Sequence, residues 1–270
     1  MATDPLGPLL HRLHSNGRLR VWSIVITIFG DAIVPRGGQV PLAELLTLTE
    51  RMGIAPNALR AAMSRLAKDG WVEREKTGRN STYSLSALGT QTFGPATEQI
   101  YADAFTKDPM PVHLALHPTV GAVGEMQVGT DALNLRPGVS LLFGTPPSDG
   151  STLLAKTGED FPDWTQDEVA ACISGGDYAD LATLLDALDT PPDTPLDALC
   201  LRVLLIHYWR RLVLRHPPIP LFVLPKNWSG HRAQERVKQL YKANLDLSER
   251  WWATPTPKAG RTQLSARFAM

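Results

Sequence analysis

Apolar residues recur at helical spacing in several stretches of this chain, and one of those stretches runs straight into an alternating pattern. Leu59, Ala62, Met63 and Leu66 fall at i, i+3, i+4 and i+7 and define one apolar face. Asn57, Arg60, Ser64, Arg65 and Lys68 fall mainly on the other faces. Pro56 suits a first helical position, where its missing N–H would have no intrahelical partner. Asp69-Gly70 supplies the stop, since glycine accepts the left-handed cap conformation. Val72–Lys76 and Ser81–Leu85 then read as strands around a Thr77-Gly78-Arg79-Asn80 turn. Upstream, Leu19–Gly30 is apolar nearly all round and predicts a buried helix. Asp31–Gln39 carries Pro35 and paired glycines and predicts a turn region. Val40–Arg51 predicts a second helix, with Pro41 at its start and Leu42, Leu45 and Leu46 inward. Met52-Gly53-Ile54 predicts the tight turn before the next helix. Helix, turn, helix, helix and hairpin in this order predict a winged helix-turn-helix over residues 17–94, with Trp71 packed under the hairpin.

The remaining segments predict an α+β protein. Residues 1–16 read as an arm that is mobile or packs on the body, and 95–110 as a linker with a helix over Ala96–Phe105. VHLALH (112–117) alternates as a strand, Pro118–Leu133 reads as a loop then a helix, and PGVSLLFG (137–144) and STLLAK (151–156) read as further strands. That β-α-β order predicts a central small ferredoxin-like α/β domain over 111–160. A mainly helical domain follows over 161–253. In it Phe161–Leu188 is broken at Gly175-Gly176, Leu196–Arg215 is one long helix, and Trp228–Trp252 is the last. The Pro/Lys/Arg composition of 254–270 predicts a flexible tail.

Charge divides the chain where the patterns do. Formal net charge is zero, but residues 17–94 carry 10 Lys+Arg against 6 Asp+Glu, residues 95–196 carry 3 against 16, and residues 197–270 carry 13 against 4. An acidic block between two basic ones suggests separate functional units and discourages DNA from lying along the middle one. Cys172 and Cys200 follow no metal spacing and are expected to be buried in a reducing compartment. No apolar run is long enough to span a membrane and no signal pattern opens the chain, so a cytoplasmic protein without membrane contact is expected. GTPPSDGST (144–152) lacks the Gly-Lys-Ser/Thr ending of a phosphate loop, and no Gly-x-Ser-x-Gly occurs. His113 and His117 on a strand would stand about 13 Å apart, too far to share a metal. His11 and His14 are expected at the surface. No catalytic set and no cofactor is expected.

Three strings then resemble the PaaX family of bacterial transcriptional repressors: FGDAIVPRGG (29–38), ALRAAMSRLAKDGWVEREKTGRNSTYSLSALG (58–89) and HYWRRLVLRHPPIPLFVLPKNW (207–228). The combination of SRL-x-x-x-GW and GR-x-S-x-Y with PRGG is what makes the resemblance specific. It covers the first and last parts of the chain well and the middle weakly. The family is known for controlling phenylacetic acid catabolism. The resemblance implies a double-stranded DNA operator as partner, a homodimer, and an aryl-acyl-CoA effector such as phenylacetyl-CoA. It also likens the central domain to small CRISPR-associated ribonucleases, which hold a metal with an acid at the end of the first strand. This chain has His117 there and Glu125 as the nearest acid beyond, which favours a structural role.

The candidate residues follow. Asn57, Arg60, Ser64, Arg65 and Lys68 offer a groove-facing surface, because arginine can take both acceptors of a guanine edge and Ser or Asn can read either base. Lys76, Arg79 and Asn80 at the hairpin tip suit phosphate or the minor groove, and Arg79 matches the family's Gly-Arg wing motif. Tyr83 suits either a phosphate contact through its hydroxyl or core packing of its ring. For the effector, His207, Tyr208, Trp209, Arg210, Arg211, Arg215 and Trp228 combine basic groups for phosphates with apolar surface for an acyl group. The competing reading makes those aromatics core and has the arginines bridge to the acidic middle. Two other classes stay open: an enzyme (a nuclease or an acyl-CoA hydrolase) and a winged-helix protein-interaction module that does not bind DNA.

Overall fold

The computed structural model describes residues 4–15, 19–78, 80–106, 110–116, 132–145, 153–173 and 175–268. In chain order the elements are α1 (Gly7–Ser15), α2 (Val21–Ile28), β1 (Gln39–Pro41), α3 (Leu42–Arg51), α4 (Pro56–Lys68), β2 (Val72–Thr77), β3 (Asn80–Leu85), α5 (Ala87–Tyr101), β4 (Phe105–Thr106), β5 (Val112–Leu116), β6 (Ala132–Arg136), β7 (Val139–Phe143), β8 (Leu153–Lys156), α6 (Asp163–Cys172), α7 (Gly175–Asp186), α8 (Pro195–Val213), β9 (Ile219–Pro220), α9 (Ser229–Glu249) and α10 (Lys258–Ala266). Helices with mainly antiparallel sheets make this an α+β chain. It divides into two compact units, each discontinuous in sequence: residues 1–102, 183–209 and 235–270, and residues 103–182 and 210–234. No helix among the described residues is long and apolar enough to cross a membrane.

In the first unit α2, expected to be buried on every side, buries Ile24, Val25, Thr27 and Ile28 and leaves Trp22 exposed. It runs on through a π-type turn, Phe29–Ile33, and a tighter turn, Val34–Arg36. Gly37 and Gly38 then turn the chain at φ 100° and 77°, a region that favours glycine. The turn delivers Gln39–Pro41 as β1, which pairs antiparallel with β3, Val40 opposite Tyr83. The expected hairpin is therefore a sheet of order β1-β3-β2. Because β1 takes Gln39–Pro41, α3 starts only at Leu42 and buries Leu45, Leu48 and Thr49, leaving Leu42 and Leu46 half-buried instead of fully inward.

Two expectations for this unit change, and one that was left open is decided. The helix placed at Ala96–Phe105 starts at Ala87, where the Ser86 hydroxyl accepts from Gly89 N–H at 3.0 Å, and it carries Pro95 inside it on an exposed position. The opening arm, read as mobile or packed, is packed: it carries the helix α1, Leu6, Leu9 and Leu13 are buried, and the Tyr208 hydroxyl donates to the Leu9 carbonyl at 2.9 Å. Residues 254–268 are not a flexible tail. They include α10 (Lys258–Ala266), and Thr256, Leu264, Arg267 and Phe268 are buried. Composition misled because what orders them is a set of distant partners. Phe268 packs edge-on against Tyr101 and Tyr241, at 5.2 and 5.3 Å, and Arg267 pairs with buried Asp31 at 2.9 Å. At the centre of the unit, α8 is buried on every side from Ala198 to Trp209.

The second unit holds a sheet of order β6-β7-β5-β8 with every pair antiparallel. The segment expected as loop and helix to Leu133 ends instead in β6; residues 117–131, with His117 and Glu125, lie outside the described residues. Cys172 is exposed, contrary to expectation, because α6 turns it toward the edge strand, where its thiol meets the Leu135 carbonyl at 3.5 Å; Cys200 is buried as expected. A short parallel pair, β4 with β9, carries Phe105 into an aromatic group with Tyr178, His216 and Trp228. The Pro217 carbonyl can only accept, so His216 Nδ1 carries the proton and its Nε2 accepts from the Tyr178 hydroxyl at 2.7 Å.

Candidate nucleic-acid interface

The sequence of α4 sorts its side chains onto two faces. Leu59, Ala62, Met63 and Leu66 point into the first unit and are buried, while Asn57, Arg60, Ala61, Ser64, Arg65 and Lys68 are exposed. The exposed positions fall at i, i+3, i+4, i+7, i+8 and i+11, so they form one continuous stripe. Pro56 sits at the helix start as expected. At the other end Gly70 takes φ 76°, and Trp71 N–H reaches back to the Leu66 carbonyl at 2.9 Å. That bond closes the helix and turns the chain directly into β2. Ahead of α4, the turn after α3 is fixed from outside: His14 Nε2 donates to the Met52 carbonyl at 2.9 Å.

The stripe is chemically available. Among the described residues Arg60 and Lys68 have no ion-pair partner, and Arg65 has only an exposed contact to Asp69 at 3.5 Å. An exposed pair at that distance contributes little and is readily exchanged for a phosphate or a base edge. The Asn57 side chain is partly engaged, accepting from Ala58 N–H at 2.8 Å.

The hairpin lies next in sequence. Thr77 pairs with Asn80 at its end, and Gly78 has φ 63°. Side chains alternate across a strand, so β2 shows Glu73 and Glu75 on one face and Val72, Arg74 and Lys76 on the other, with Ser81 and Tyr83 across from them. Lys76 and Asn80 are exposed. Arg79 lies outside the described residues. Tyr83 is 6% exposed, so its ring is core. Arg74 was not singled out from the sequence. Its guanidinium donates to the Ser81 hydroxyl at 2.8 and 3.1 Å and lies 6.0 Å from the Tyr83 ring. The signal was there in the two-residue spacing of Arg74 and Lys76 against the alternating glutamates. Trp71 is half-buried, edge-on to Phe93 at 6.2 Å, and so lies at the margin of the core.

The residues expected at an effector site are placed differently. His207, Tyr208 and Trp209 are buried in the first unit with their polar atoms engaged. The Thr27 hydroxyl donates to the Ser23 carbonyl, so at 3.3 Å it accepts from His207 Nδ1. Trp209 Nε1 donates to the Ile100 carbonyl at 2.9 Å. In the second unit, Trp228 packs 4.6 Å from Phe105 and 5.1 Å from Tyr178. Arg215 meets Asp177 at 2.8 Å, both about half exposed, while Arg210 is half-buried and Arg211 exposed. The aromatic members thus serve as core. Among the described residues no group of three His, Cys, Asp or Glu side chains is placed to hold a metal.

Comparison with known proteins gives a consistent result. A family model described as PaaX-like protein matches residues 20–89, and one described as PaaX-like protein C-terminal domain matches residues 164–254. A protein of Escherichia coli (strain K12), "Transcriptional repressor PaaX", is 27% identical over 251 residues, which is 82% of this chain and 79% of that one. A solved structure, "Uncharacterized protein Rv0674 from Mycobacterium tuberculosis", aligns with a TM-score of 0.56 at 18% identity, over 84% of this chain and 97% of the other. That last likeness is one of fold.

Proposed function

The chain belongs to the PaaX-like family, and from that premise we propose that it is a transcriptional repressor that binds an operator in double-stranded DNA. On this reading α2, α3, α4 and the β1-β3-β2 sheet are a winged helix-turn-helix, and β5 to β8 form a ferredoxin-like sheet. The observation that carries the proposal is the division of α4, whose buried face fixes it to the unit while Arg60, Ser64, Arg65 and Lys68 stand exposed on the opposite stripe. A helix held this way can enter a major groove, where a bidentate arginine discriminates against a wrong base by about 1–3 kcal/mol. Arg74 and Lys76 on the hairpin, with Arg79 beyond, supply cations for the flanking phosphates. A homodimer would place two such helices about 34 Å apart on a pseudo-palindromic site. The protein is a regulator and not an enzyme on this account. Its release signal is an aryl-acyl-CoA, phenylacetyl-CoA first among them, with Arg210, Arg211 and Arg215 as the cations for its phosphates.

Base reading and backbone contact separate by mutation. Arg60→Ala should weaken binding to the operator by about 1–3 kcal/mol and leave random DNA nearly unaffected. Lys76→Ala should weaken both and reduce the slope of log K against log salt by about 0.9. Fluorescence anisotropy over a salt series measures both. Equal losses for Arg60→Ala on operator and random DNA would remove it from base readout.

A further inference from the structure

The PRGG string, between α2 and β1, carries an arginine that faces away from solvent. The Arg36 side chain is 7% exposed. Its Nη1 donates to Glu249 Oε2 at 2.8 Å and to the Thr256 hydroxyl at 2.6 Å, and its Nη2 donates to the Thr254 carbonyl at 2.6 Å. The guanidinium also lies over the Trp252 ring, 4.4 Å from its centroid. Every one of these partners is in residues 249–256. Three of its five N–H donors are thus committed to that one segment.

The neighbouring contacts hold the same stretch. A Cβ on Gly260 would lie 1.7 Å from the Pro35 carbonyl oxygen, so α10 rests directly on that backbone and only glycine permits the approach. The π-type turn just before it exposes carbonyls, and Arg267 takes them: Nη2 donates to Gly30 O at 2.9 Å and Nη1 to Asp31 O at 2.7 Å. Phe268 is held beyond Arg267 at φ 54°, a strained conformation for a bulky residue that its two aromatic neighbours stabilise. Past Arg36 the turn is fixed by Gly37 N–H to Val34 O and Gly38 N–H to Ile33 O, and β1 follows at once. Val40 on β1 is paired with Tyr83 of the hairpin, and Tyr83 with Arg74.

We propose that Arg36 is a positioning residue for the hairpin: residues 249–268 grip Pro35 and Arg36, and through β1 they set where Arg74 and Lys76 stand. The proposal rests on reading the hairpin as part of the DNA interface, and its test has an arm that does not. The variants are Arg36→Ala, Gly260→Ala, which leaves every charge in place, and Lys76→Ala as the contact control. Amide hydrogen exchange of the full-length protein without DNA should speed up over residues 38–40 and 72–85 in the first two variants, with α8 unchanged, and stay as in the parent in the third. Unchanged exchange in the hairpin, or an equal rise in α8, would overturn the proposal. DNA binding over a salt series should show a several-fold loss at every salt for Arg36→Ala and Gly260→Ala with the slope kept, against a slope lowered by about 0.9 for Lys76→Ala. A lowered slope for Arg36→Ala would make it a phosphate contact and refute the positioning role. If the parent protein binds no DNA, the functional reading fails, and the exchange result alone decides the grip.

Discussion

Asp31 is a carboxylate with 0% exposure, and four donors converge on it. Oδ1 accepts from the hydroxyls of Tyr101 and Tyr241 at 2.6 and 3.0 Å and from Arg267 at 2.9 Å, and Oδ2 accepts from Arg202 at 2.8 Å. Burial by itself raises its pKa, but the charges of Arg202 and Arg267 and the Tyr101 hydroxyl outweigh that and hold it below the usual carboxylate value. Glu249 is also lowered: burial raises it, while Arg202, the Thr256 hydroxyl and Arg36 pull it down. Asp31→Asn leaves two buried guanidiniums short of a counter-charge and should cost about 3–5 kcal/mol in denaturant unfolding. Since both folded-state values lie below the unfolded ones, the stabilisation is fully present above the ordinary carboxylate range and is lost as pH falls from there through the lowered folded-state values. Thermal melting between neutral and acid pH should show that loss, and it should be smaller in Asp31→Asn. In the sequence Asp31 was visible only as a turn residue, because its partners are 70 to 236 positions away.

At the scale of elements, what was legible was local. The α4 faces, its Pro56 start, its Gly70 stop and the hairpin all depend on neighbours in sequence, and periodicity reads those. The elements that escaped depend on distant chain. β1 is a strand only because β3 lies beside it, and β6 only because β7 does. α5 passes Pro95, where a proline rule would have begun a new helix. α10 has a polar composition and is ordered by Phe268 between Tyr101 and Tyr241 and by Arg267 on Asp31. Phe268→Ala should therefore cost about 3 kcal/mol at the lower end of buried aromatic truncations. It should also open Lys258 and Arg261 to trypsin before the rest of the protein is cut. Uncut α10 in that variant would show that its order does not depend on the aromatic contact. The candidate site divides in the same way: the exposed polar stripe of α4 was readable from one helix, whereas the aromatics His207 to Trp209 read equally as ligand chemistry or core, and only packing reveals that they are core with their polar atoms engaged.

For the molecule as a whole, the zero net charge conceals opposite blocks of +4, −13 and +9 over residues 17–94, 95–196 and 197–270. Binding to DNA should therefore depend on the local basic surface and fall steeply with salt, although the protein as a whole is uncharged. A ligand acts on such a repressor only through a difference in affinity between its DNA-bound and free conformations. The measurement that tests the central claim most directly is anisotropy of labelled DNA from upstream of the neighbouring operon, titrated with the protein with and without phenylacetyl-CoA. The account predicts tight binding that exceeds binding to random DNA and is abolished by the thioester. No preference for that DNA over random sequence would contradict it.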